Sequence, residues 1–157
     1  MSNLFRQTDF LYATISANKT ANLAQTNHVE FDLFYRRGTS ISCATTGSGQ
    51  QLGIFTLAPN RIYQVSTQLL LGVNEGQSHW IWSHAADNSY VFDVANNWSN
   101  QMYFIDNYST DTADASTDFS IFAPSEEISI ILYHYGGAGG AVSPLYEAGC
   151  HVLIEEL

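Results

Sequence analysis

Basic residues are scarce in this chain of 157 residues: Arg6, Lys19, Arg36, Arg37 and Arg61 are the whole set, against fifteen acids and a formal net charge of −10. A surface so poor in cations repels phosphate backbones, which argues against direct nucleic-acid binding. Cysteine is limited to Cys43 and Cys150 with no C-x-x-C. One disulfide and two buried free thiols are both compatible with that count. No run approaches the ~18 apolar residues of a spanning helix, so no membrane segment is expected. The opening residues, Met1–Gln7, lack the apolar stretch of a secretory signal. Charged residues make up only 13%, where roughly a quarter is usual. Asn, Ser, Thr and Gln stand in their place, a composition common where neighbours will cover much of the surface.

Catalytic signatures are missing too. There is no G-x-S-x-G, and Gly47-Ser48-Gly49 has neither the following helix nor the lysine of a phosphate loop. Glu126-Glu127 and Glu155-Glu156 are adjacent pairs, whose side chains diverge on a strand and form no acid/base dyad. The histidines (His28, His79, His84, His134, His151) show no H-x-x-x-H cluster. Only His134 and His151 could be brought together, by pairing of late strands. The cupin metal motif is absent as well. The expectation is a protein that is not an enzyme.

Aromatics are plentiful, with nine Tyr, nine Phe and three Trp in a chain that is 45% hydrophobic. They fall in short segments of period 2, the spacing of half-buried strands. In Gly53–Leu69, Phe55 and Leu57 alternate with small or polar neighbours, Pro59-Asn60 breaks the run, and Tyr63, Val65, Thr67 and Leu69 resume it. Further strands are expected at 10–16, 28–35, 41–43, 79–84, 90–94, 101–106, 119–123, 127–135 and 150–156. About ten strands with frequent turn signals and no helical period argue an all-β sandwich. Residues 1–9 read as an N-terminal arm and residues 10–157 as one domain.

Twelve of the fifteen acids follow Arg61. Asp106, Asp111, Asp114 and Asp118 fall in what reads as a polar loop over 106–118, which makes it the best candidate for an oxygen-rich calcium site. The spacing is not that of an EF-hand. A solvated loop binding no cofactor is the preferred reading, with calcium as the alternative.

The phrase Gly53–Leu69 also resembles the signature of the C1q/TNF-like jelly-roll superfamily, in which a G-x-F-T strand and its turn lead into a Y-x-hydrophobic strand. His28-Val29-Glu30-Phe31-Asp32 looks like that family's V-x-F-D strand. Phe119–Leu132 is similar to its paired late strands, and His151-Val152-Leu153-Ile154 to its closing strand. Arg61 in place of a turn glycine, Glu126-Glu127 in place of G-D, and Gly149-Cys150-His151 at the close set the chain apart, towards a viral or bacterial-type branch. The resemblance implies jelly-roll connectivity and an inner sheet carrying Tyr12, Tyr35 and Tyr63. It implies a homotrimer packed around a three-fold axis, to which Tyr63, Tyr133 and Tyr135 are assigned. It also implies a central closing strand with Cys43 near an edge, hence no Cys43–Cys150 bond. The function expected is assembly or recognition. The first form is a virion surface component, whether minor capsid, decoration or fibre-head protein, possessing no stalk or anchor. The alternative is an extracellular, C1q-like head that binds glycan or protein ligands through its end loops.

Overall fold

The alternating segments become strands in a computed structural model that describes residues 8–17, 28–44, 52–72, 77–94, 98–99, 101–105, 113–134 and 149–157. The strands are β1 (Phe10–Thr14), β2 (Leu33–Arg37), β3 (Ile41–Cys43), β4 (Phe55–Leu57), β5 (Tyr63–Gly72), β6 (Gln77–His84), β7 (Phe92–Asp93), β8 (Trp98–Ser99), β9 (Gln101–Ile105), β10 (Ala113–Phe122), β11 (Ile128–His134) and β12 (His151–Glu156). Ten of them form two five-stranded sheets. The front sheet runs β10-β5-β12-β1-β2 and the back sheet β3-β4-β11-β6-β9, while β7 and β8 pair separately. Every pairing is antiparallel. Neighbours in space are mostly not neighbours in sequence, the crossing pattern of a jelly roll.

The two inner faces meet in a single core. Leu11, Val65, Leu69, Val152, Ile154 and Phe122 come from the front sheet, and Phe55, Leu57, Trp80, Trp82, Ile130 and Leu132 from the back. Phe31 meets Phe55 at a tilt and Phe55 meets Trp82 edge-on, with ring centroids 5.9 and 6.0 Å apart. The Trp82 Nε1–H donates to Thr67 Oγ1 at 3.2 Å, tying one sheet to the other across the core. Trp80 and Trp82, two residues apart on β6, share its buried face. As the resemblance implied, β12 is central in its sheet and Cys43 lies on an edge strand of the other. Cys43 and Cys150 are not joined in a disulfide.

Two strand expectations are corrected. The run 28–35 is not one strand. Val29 N–H donates to Leu132 O at 2.9 Å, so its beginning extends the back sheet beside β11. Asp32 then accepts hydrogen bonds from the Ser16 N–H and hydroxyl at 2.6 and 2.9 Å, and the chain enters the front sheet at Leu33. The alternation continues through this corner although the sheet changes, which period alone does not reveal. The second correction concerns 113–118, read as part of an acidic loop. These residues begin β10, which pairs with β5 from Ala113↔Gly72 to Phe122↔Tyr63. Acids suit an edge strand, where they discourage further pairing.

The β2–β3 connection is held by Asp9, whose carboxylate accepts the backbone N–H groups of Thr39 and Ser40, each at 2.8 Å. Gly38 sits in this turn with φ +89°, and a Cβ there would land on that carboxylate. Gly53 has φ +80°, and a Cβ there would land on Val29 O. Residues 1–7 of the expected arm lie outside the described residues.

Candidate assembly interface

The inner side of the front sheet accounts for only half of its apolar side chains. On β12, Val152 and Ile154 point into the core, so His151, Leu153 and Glu155 point outward. On β1, Leu11 and Ala13 point inward and Phe10, Tyr12 and Thr14 outward; on β10, Ser120 and Phe122 point inward and Thr117, Phe119 and Ile121 outward. The strand registers line these residues up in rows across the sheet. The middle row is Tyr35, Tyr12, Leu153, Ser66 and Phe119. Above it run Leu33, Thr14, His151, Gln68 and Thr117, and below it Arg37, Phe10, Glu155, Gln64 and Ile121.

This outer face mixes apolar with polar side chains, and several of the apolar ones are exposed. Tyr12 is 39% exposed, Leu33 56%, Tyr35 70% and Phe119 55%. Five strands at about 4.8 Å spacing make the face on the order of 20 Å wide. Its rings are already ordered against one another. Phe10 and Tyr35 lie 6.0 Å apart, Tyr12 and His151 5.6 Å apart, and the Arg37 guanidinium sits 5.0 Å over the Phe10 ring. Tyrosine suits a surface that is wet in the single chain and covered in an assembly, because a large apolar area ends in one polar handle.

Of the residues assigned to the three-fold core, none falls on this face among those described. Tyr63 is 0% exposed within one chain. Its hydroxyl lies 3.1 Å from Ser40 O and 3.0 Å from Ala58 O, sharing its proton between two carbonyls. Burial pushes its pKa up. It stands on the inner sheet as expected, but it points into the sandwich and leaves no surface for a neighbour. Tyr133 is buried in the back sheet, opposite Ile81. Tyr135 lies outside the described residues. Tyr12 and Tyr35 do lie on strands of the front sheet, as expected, and their rings are on its outer side. Phe119 and Leu153 were missed, though a signal existed. His151-Val152-Leu153-Ile154 is apolar on both strand faces, and a strand with two apolar faces needs cover on both sides.

The calcium candidates do not converge among the described residues. Asp106 and Asp111 lie outside them. Asp114 and Asp118 share β10 at a separation of four residues, about 13 Å by strand rise. The Asp118 carboxyl is held above its ordinary range, first by burial and then by the nearby charge of Asp93. Asp93 is itself buried and accepts the Ile121 N–H at 3.1 Å. No group of three or more His, Cys, Asp or Glu side chains among the described residues could hold a metal ion. His134 and His151 are on the central strands of different sheets, so late-strand pairing does not join them.

No family model matches the chain, and no curated protein matches it in sequence. Solved structures do match in shape. Murine APRIL at pH 5.0 superimposes with a TM-score of 0.62 over 96% of this chain and 100% of its own, at 12% identity. The structure of murine APRIL at pH 8.0 gives 0.61 at the same identity, covering 96% and 98%. Eiger TNF from S. frugiperda gives 0.52 over 95% of this chain and 91% of its own, at 8% identity. The fold is that of the TNF/C1q-like jelly rolls, and at these identities the likeness concerns the fold alone.

Proposed function

We propose that this chain is a non-enzymatic assembly or recognition module that works as a homotrimer, built on the outer face of its front sheet. The observation that carries the proposal is the row Tyr35, Tyr12, Leu153 and Phe119, broken by Ser66, in which both tyrosines and Phe119 are exposed. A monomer that left this face in water would carry an apolar patch of the kind that marks an interaction surface. The solved structures that share the fold, APRIL and Eiger TNF, support a ligand-type module over a catalytic one. A virion surface component is the more specific form of this proposal, supported by the charge-poor surface rich in Asn, Ser and Thr. A recognition head acting through its end loops is the second form, supported by the named neighbours. Calcium at Asp114 or Asp118 would belong to that second form and need further ligands.

Light scattering on a sizing column tests the shared premise. A mass near three times 17.4 kDa, held on dilution, is the expected result. A monomer at every concentration would remove the homotrimer and, with it, the role given to this face.

A further inference from the structure

A recess of about 230 Å³ opens where the β6–β7 and β10–β11 connections meet, and it shares no residue with the outer rows of the front sheet. Val91, Phe92, Val94, Pro124 and Ile128 supply apolar walls, and His84, Ser125 and Glu126 are its polar members. Backbone hydrogen bonds hold both walls. The Val91 N–H donates to Trp82 O at 3.1 Å and the Val94 N–H to Ile121 O at 2.9 Å. On the other side the Asn60 N–H donates to Pro124 O and the Ala85 N–H to Ser129 O, each at 2.8 Å. The recess is thus formed before anything enters it, which lowers the ordering cost of binding.

Size and charge narrow the occupant. Small-molecule sites begin at about 300 Å³, so this recess suits one side chain better than a whole ligand. Mostly apolar walls leave the hydroxyls of a glycan without partners. Glu126 is exposed and is the one carboxylate among the lining residues, which include no lysine or arginine. Arg61, on the turn that Asn60 ties to Pro124, is ion-paired with Glu156. Phe92 is 59% exposed although it lines the recess, so its ring is open to a partner. An apolar wall, an open ring and a carboxylate together match arginine, whose stem is apolar and whose guanidinium both stacks on rings and bonds carboxylates.

We propose that this recess binds an arginine side chain presented by a basic segment of a partner protein, its stem against Val94, Pro124 and Ile128 and its guanidinium between Phe92 and Glu126. The net charge of −10 draws such a partner in. A second copy, with five basic residues in all, is a poor source of the arginine. The inference rests on the recognition form of the proposed function and names its partner class; it does not need the trimer.

Amide NMR with capped tripeptides carrying arginine, lysine or citrulline at the centre tests it. The arginine peptide should shift the amides of 91–94 and 123–128 saturably. The lysine peptide should bind more weakly, and the citrulline peptide, which keeps the shape without the charge, more weakly still. Glu126→Gln and Phe92→Ala should each weaken binding about threefold, the scale of one exposed charge pair or cation–π contact. Glu127→Gln should leave binding unchanged, since Glu127 does not line the recess. The spectrum of each variant reports its folding directly. Equal binding of the citrulline peptide, an equal loss in Glu127→Gln, or folded Glu126→Gln and Phe92→Ala variants that bind like the unmodified protein would overturn the site. Shifts of the same amides on raising protein concentration alone would give the recess to a second copy and overturn the partner. Saturable shifts confined to other loops would overturn this recess and leave recognition through the end loops standing. No saturable shift anywhere would overturn the arginine-bearing partner altogether.

Discussion

At the scale of single residues, the sequence marks an aromatic but not the direction in which it points. Tyr63 begins a strand of the expected sheet, and its hydroxyl is spent on Ser40 O and Ala58 O inside one chain. Tyr63→Phe should therefore cost about 1 kcal/mol of stability, seen as a lower denaturant midpoint, and leave the assembled mass unchanged. A change in mass would return Tyr63 to the interface. Asp118 gives a prediction of opposite sign. Its folded pKa is raised, so the folded chain binds the proton more tightly than the unfolded one, and stability falls as pH rises from the ordinary value of 3.8 through the raised one. In a monomeric background Asp118→Asn should be more stable than its parent at neutral pH, by less than about 1 kcal/mol because the group is half exposed. The advantage should shrink as pH falls towards 4. A gain that does not depend on pH would point to packing instead of charge. Asp118 was expected in an acidic loop; it stands on β10, near Asp93 of β7, a contact between segments that no local pattern encodes.

At the scale of elements, short alternating runs were the most legible feature. β1, β3, β4, β5, β6, β11 and β12 stand where alternation and turn residues put them, because a half-buried strand writes its burial directly into its sequence. Edges and corners were less legible. β10 begins with acids and small residues, which resemble loop composition, and its strand character comes from a partner nearly fifty residues earlier in the chain. The corner between Val29 and Leu33 preserves alternation while the chain changes sheets. The β2–β3 turn provides a direct test of how such a connection is held. Gly38 has a left-handed φ of +89° and no room for a Cβ beside Asp9, so Gly38→Ala should cost at least about 1 kcal/mol. Thermal unfolding checks this, and a neutral result would show that the turn can relax away from Asp9. The Asp9 carboxyl is held below its ordinary value chiefly by hydrogen bonds from Ser40. Its contribution is therefore present above the ordinary pKa and lost as pH falls through the depressed one.

At the scale of the whole molecule, two sheets bury one face each, and the front sheet leaves exposed apolar side chains on its other face, the surface proposed for assembly. Assembly that involves only folded chains stabilises them by mass action, so the unfolding midpoint should rise with protein concentration. Phe119→Lys places a charge at the end of the apolar row without touching the core. It should abolish both the larger mass and the concentration dependence while the folded monomer persists, as circular dichroism would report. Concentration-dependent unfolding that survives in Phe119→Lys would place the interface on another surface. The net charge of −10 per chain makes assembly of like copies electrostatically unfavourable at long range.

The sequence by itself determined that the chain is an all-β sandwich, since period-2 alternation, aromatics and turn residues are local properties that each strand carries alone. It also placed the apolar run Val152-Leu153-Ile154 in β12. Which strands lie side by side, and so which side chains share a row, was decided only by the tertiary structure. Tyr35, Tyr12, Leu153 and Phe119 come from four strands spread over more than a hundred residues, and only the sheet order brings them into line. A strand's period fixes two faces but not which of them turns inward, and that choice depends on the neighbours the chain meets when it folds.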